Sequence, residues 1–172
     1  TQTTADVVVV EIAAGAAVGR GESAGVTYLG EDPQTMLRQI EGVRAAIEHG
    51  ADRLDLLKLL PAGGARNALD GALWDLESKL TGAPVWRRAG LDRGDAVTTA
   101  ITIGIRDLPG YDKAARALAN NAWIKIKVNQ EDPIGAVRAV RAAAPAAKLV
   151  VDANQAWTVE TLKGFTPVLL EL

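Results

Sequence analysis

The spacing of hydrophobic positions changes character once along the chain, near residue 92. Before that point a β-branched run, Val7-Val8-Val9-Val10-Glu11-Ile12, meets a turn at Gly15, and a second extended stretch over 17–22 predicts a hairpin. A glycine-bearing loop over 24–30 leads to Asp32-Pro33, an N-cap followed by proline at the first helical position. Met36, Ile40, Val43 and Ile47 recur at helical spacing up to Gly50, and a shorter helix is predicted over 54–60. Leu69, Leu73, Leu76 and Leu80 form the stripe of a third helix over 64–80, closed by Gly82. Pro84-Val85-Trp86 and Leu91-Asp92-Arg93-Gly94 read as a connector, so the expected domains are residues 1–92 and 93–172.

Beyond the connector, strands alternate with helices of ten or so residues. Strands are predicted over 97–105, 123–128 and 148–152, and helices over 110–120, 133–144 and 159–170, the pattern of βαβ units with a parallel sheet. Each strand has one aliphatic face and one small or polar face: Thr98, Ala100, Thr102 and Gly104, then Lys125 and Lys127, then Asp152. Strands covered by helices on both sides tend to be apolar throughout. The split favours a barrel with helices outside and polar groups within, and an amphipathic sheet would give the same alternation.

The polar faces carry the candidate chemistry. Successive strand residues point to opposite sides, so Lys125 and Lys127 share a face while Ile124, Ile126 and Val128 share the other. Asp152 and Asn154 stand at the C-terminal end of the next strand. If the two strands are parallel neighbours, two amines and a carboxylate converge. That set suits taking a proton from a carbon acid while a metal holds the resulting charge. Singly, each residue has a plainer reading. Alternating Ile and Lys is also what an exposed antiparallel strand presents, and Asp before Ala-Asn is a common turn or cap. Arg20 and Glu22 read as surface charges, and Trp74, Trp86, Trp123 and Trp157 as packing residues.

Composition narrows the field. The chain has 172 residues, 48% hydrophobic and 23% charged, as a globular protein does. A formal net charge of −2 leaves no basic footprint, so nucleic acid is not an expected partner. Without cysteine there is no disulfide, zinc-thiolate site or thiol nucleophile. The single His49, near a helix C-terminus, cannot form a histidine metal site or a Ser-His-Asp triad. No apolar stretch approaches the roughly 20 residues that span a bilayer. No membrane partner is expected, and the cytoplasm is the expected compartment.

Four segments then carry a family resemblance. Arg66-Asn67-Ala68-Leu69-Asp70-Gly71-Ala72-Leu73-Trp74-Asp75-Leu76-Glu77 resembles the long helix that precedes the barrel in the enolase superfamily, and Gly82-Ala83-Pro84-Val85-Trp86 resembles the connector after it. Lys125-Ile126-Lys127 resembles the K-x-K of the second barrel strand in the muconate-lactonizing subgroup. Val151-Asp152-Ala153-Asn154-Gln155-Ala156-Trp157 resembles the third-strand segment that bears the first metal ligand. Thr99-Ala100-Ile101-Thr102-Ile103 and the wording of the helices look most like dipeptide epimerases of the L-Ala-D/L-Glu type.

The resemblance implies an α+β capping domain followed by the first part of a (β/α)8-type barrel, incomplete at about three βα units. It implies an isomerase that abstracts the α-proton of a dipeptide such as L-Ala-L-Glu, through an enediolate, with Mg2+ as cofactor. A same-fold cycloisomerase or o-succinylbenzoate synthase is the alternative, and a truncated, non-catalytic chain is the alternative of another class. Lys127 is implied as general base, Lys125 as its support and a contact for the substrate carboxylate, Asp152 as first Mg2+ ligand, Asn154 as a polar neighbour of the metal, and Thr102 as a substrate contact. The implied partners are a small-molecule substrate, a dipeptide or related carboxylate, and further copies of the protein in a homo-oligomer. In the family, two more acidic ligands lie on the fourth and fifth strands and an opposite-face lysine on the sixth. A full barrel takes about 250 residues. This chain is therefore expected to be part of a longer parent, with the first capping strand before Thr1, and to be inactive alone.

Overall fold

A computed structural model describes residues 4–172, which divide between Asp95 and Ala96 into two units. In the first, Val7–Ala14 (β1) and Ala17–Ala24 (β2) pair antiparallel, from Val7 opposite Ala24 to Ala14 opposite Ala17. Gly15 makes the turn in the left-handed region, φ 57°. Alternation sends Val8 and Val10 into the core and leaves Val7 and Val9 exposed.

Three helices follow: Pro33–Glu48 (α1), Arg53–Leu59 (α2) and Gly64–Thr81 (α3). Asp32 caps α1 by accepting from the Thr35 N–H at 2.7 Å, with Pro33 in the first turn. Asp52 and Asp55 form a reciprocal capping box on α2. The first backbone N–H of α3 has no cap of its own; Glu31 reaches across to accept from Gly64 N–H at 2.8 Å and from Val26 N–H at 3.0 Å. Met36, Ile40, Val43, Leu56, Leu69 and Leu73 complete the core with Val8 and Val10. Leu80 departs from the expected stripe: it lies in the last turn of α3 and is exposed. The backbones of β2 and α3 touch through glycine. A Cβ at Gly19 would collide with the Ala72 carbonyl oxygen, and one at Gly21 with that of Ala68. A short helix, Val85–Arg88 (α4), occupies the connector, where Arg88 and Arg53 both pair with Glu77 and the Arg53 guanidinium lies 3.4 Å above the Trp74 ring.

The second unit is a parallel sheet in the order β3-β4-β5: Ile101–Ile103 (β3), Trp123–Lys127 (β4) and Lys148–Asp152 (β5). Leu108–Ala117 (α5) and Pro133–Ala143 (α6) connect the strands, and Val159–Leu169 (α7) follows β5. Ile103, Ile124, Ile126 and Val128 are buried in one cluster with Tyr111, Ala115, Val137 and Val140, so the helices cover one face. β3 is shorter than its sequence suggests. Its pairing with β4 runs only from Ile101 opposite Ile124 to Ile103 opposite Ile126, and Val97 is exposed. α7 contains Pro167, which removes one helical N–H donor, and buries no residue fully. Among the described residues no helix is long and apolar enough to cross a membrane.

Candidate active site

The uncovered face of the second sheet gathers the polar residues of all three strands. Parallel register sets Thr102, Lys125 and Val150 in one row and Lys127 opposite Asp152 in the row above. Lys125 leans up one row, so that its Nζ meets Asp152 Oδ2 at 2.8 Å, while Lys127 Nζ stands 4.0 Å from the same oxygen. All three side chains are partly exposed, Asp152 least at 22%. The two amines and the carboxylate are therefore together and open to a ligand.

The turn after β5 completes the group. The Asn154 N–H donates to Asp152 Oδ1 at 2.9 Å, and the Ala156 N–H to the Ala153 carbonyl at 2.8 Å. Between them Asn154 and Gln155 both adopt positive φ, 43° and 69°, the signature of a type I′ turn. Asn tolerates this conformation, whereas Gln is an uncommon occupant of it. With the Asn154 carboxamide nitrogen donating to the Asp152 oxygens (3.0 and 3.2 Å), its oxygen accepts from Lys127 Nζ at 2.7 Å. Two further bonds brace this turn against the loop after β4: Trp157 Nε1 donates to the Asn129 carbonyl at 3.1 Å, and Gln130 Nε2 donates to that of Ala156.

Asp152 is an anion held in place. The hydrogen bond from Lys125, then that from the Asn154 N–H, lower its carboxyl below the usual range against the opposing effect of burial, and the attraction of both lysines adds to the lowering. Both of its oxygens already have donors. Among the described residues no group of three or more His, Cys, Asp or Glu side chains converges, and Mg2+ demands a near-octahedral oxygen shell. Asp152 fits one ligand position of such an ion, and these residues do not supply the rest.

The structure thus brings together Lys125, Lys127, Asp152 and Asn154, with Thr102 in the row of Lys125. Gln130 and Trp157 support the site from outside the polar strand faces. The contacts they make span up to 28 residues, so no local pattern announces them.

Residues 1–90 match the family described as Mandelate racemase / muconate lactonizing enzyme, N-terminal domain. The chain belongs to this family, within the enolase superfamily. It is 35% identical over 170 residues to the L-Ala-D/L-Glu epimerase of Escherichia coli K12, covering 98% of this chain and 53% of that protein. It is 32% identical to the N-acetyl-D-glutamate racemase of a Pseudoalteromonas species, covering 95% and 55%. An enolase family member from Agrobacterium tumefaciens with homology to dipeptide epimerases, solved with sodium and L-Ala-L-Glu, superposes with a TM-score of 0.89 at 33% identity, covering 97% of this chain and 51% of that one. The chain spans about half the length of the curated relatives it matches. Its first unit is the capping domain of the superfamily, and its second holds the opening strands of the barrel.

Proposed function

We propose that the protein is an epimerase of dipeptides of the L-Ala-D/L-Glu type, inverting an α-carbon by removing its proton and returning one to the opposite face. The observation that carries this reading is the convergence of Lys125 and Lys127 on Asp152, at 2.8 and 4.0 Å, on the helix-free face of the sheet. The likeness to an L-Ala-D/L-Glu epimerase over nearly the whole chain supports it.

In this mechanism the unprotonated amine of Lys127 takes the proton. The Cα–H bond breaks, an N–H bond forms, and the electron pair passes into the adjacent carboxylate to give an enediolate. Asn154, accepting from Lys127 Nζ, orients that amine toward the open face. Lys125, its Nζ 2.8 Å from Asp152 Oδ2, offers its amine to the substrate carboxylate, and Thr102 in the same row is a second substrate contact. A divalent cation such as Mg2+, with Asp152 as one ligand, supplies electrostatic stabilisation of the enediolate oxygens when bound. An acid on the other face of the substrate returns the proton, and the family pattern expects a lysine of the sixth barrel strand there.

The N-acetyl-D-glutamate racemase relative favours a second reading, in which the acylated amino acid replaces the dipeptide. Incubating the full-length protein and Mg2+ with L-Ala-L-Glu or with N-acetyl-D-glutamate, and resolving the isomers by chiral chromatography, separates the two. Epimerisation of the dipeptide supports the first reading. Turnover of N-acetyl-D-glutamate alone supports the second, and turnover of neither contradicts both.

A further inference from the structure

The lysine proposed as base sits at the last residue of β4, where the ladder on one side has run out. Adjacent strand residues direct their backbone groups to opposite sides. The Val128 N–H donates to the Asp152 carbonyl on the β5 side at 3.0 Å, so the Lys127 carbonyl faces the β3 side. There β3 has already stopped: its last pair is Ile103 with Ile126. A side chain takes over. The Tyr111 hydroxyl donates to the Lys127 carbonyl at 2.6 Å, and Tyr111 is only 3% exposed.

The sequence aims this phenol. Asp107 caps α5 by accepting from the Gly110 N–H at 2.9 Å, and Pro109 fixes the first turn, so Tyr111 enters the helix at a set height over the apolar face of the sheet. It lies among Ile103, Ile126 and Val128, on the side away from the lysine amines. Tyr111 can reach the chemistry only through the backbone. A tilt of the Lys127 peptide plane by about 10° swings an extended lysine amine by about 1 Å, and a misplacement of that size costs about 10²-fold in rate.

We propose that Tyr111 is a positioning residue for Lys127: its buried hydroxyl replaces the missing strand partner and fixes the direction in which the amine leaves β4. This rests on the assignment of Lys127 as the proton-removing base. A buried tyrosine also needs some acceptor for its hydroxyl, so the test must separate aim from packing.

The experiment uses the full-length protein in D2O and follows α-proton exchange of L-Ala-L-Glu and of L-Ala-D-Glu separately. Lys127→Ala identifies the isomer whose proton Lys127 removes. Tyr111→Phe, which keeps the ring, is expected to slow exchange of that same isomer by at least about tenfold with KM held within about threefold. The other isomer should exchange as in the wild type. Replacement of Tyr111 by 4-aminophenylalanine, which keeps ring and donor, should restore the rate; it also serves if the Phe variant fails to fold, since loss of isomer selectivity in it counts against the proposal. Equal slowing of both isomers, or of neither, by Tyr111→Phe overturns it. Unimpaired exchange in Lys127→Ala removes the base assignment instead, and the proposal with it.

Discussion

Lys127 and Asp152 have opposite demands placed on them: the carboxylate must stay charged and the amine must be able to lose its proton. Lys127→Ala in the full-length protein is expected to reduce epimerisation about 10²–10⁴-fold while leaving thermal stability near that of the wild type, because the side chain is partly exposed and packs into no layer. Lys127→Arg should do little better, since a guanidinium does not deprotonate in the working range. For Asp152, the isolated 172-residue chain should show no saturable Mg2+ uptake at millimolar concentration by titration calorimetry, because one carboxylate is too few oxygens. Tight stoichiometric uptake would contradict the ligand assignment. The lysines and the carboxylate were legible in the sequence because alternation with period two is a local signal. The left-handed pair Asn154-Gln155 was not, since neither residue is glycine and the turn is held by Asp152 and Ala153 rather than by intrinsic preference.

At the level of elements, β2 and α3 meet so closely that glycine is required at the contact. Gly21→Val is expected to destabilise the first unit by at least about 1–3 kcal/mol in urea unfolding, because the added atoms meet the Ala68 carbonyl and α3 must move. Glu31 tests the other end of α3. The N–H groups of Val26 and Gly64 hold its carboxyl below the usual range. Its contribution is therefore complete above the unfolded value of about 4.3 and is lost as pH falls through the lower folded value. Glu31→Gln should melt below the wild type at pH 7, with the difference shrinking as the pH is lowered past 4. A difference that grows on acidification would contradict the sign. Helix positions were readable from leucine spacing and from Asp32-Pro33, which are short-range signals. The extent of β3 was not, because strand pairing depends on residues distant in the chain, and the contact of Gly19 and Gly21 with α3 is visible only once the two elements are packed.

For the whole molecule, the second sheet has an open edge at β3 and another at β5, with no further strand paired to either among the described residues. In the first unit Val7 and Val9 are exposed on the hairpin. Open edges beside apolar surface favour pairing with other chains. The isolated 172-residue chain is accordingly expected to sediment as oligomers or aggregates, and a monomeric species with one cooperative thermal transition would contradict this. Removal of the α-proton by Lys127 has a direct readout in deuterium exchange. The full-length protein and its Lys127→Ala variant are incubated with L-Ala-L-Glu and with L-Ala-D-Glu in D2O, and deuterium at the glutamate α-carbon is followed by proton NMR. If Lys127 is the base, the wild type exchanges both isomers and the variant loses exchange of one of them. Exchange of both isomers at wild-type rates in the variant would contradict that role.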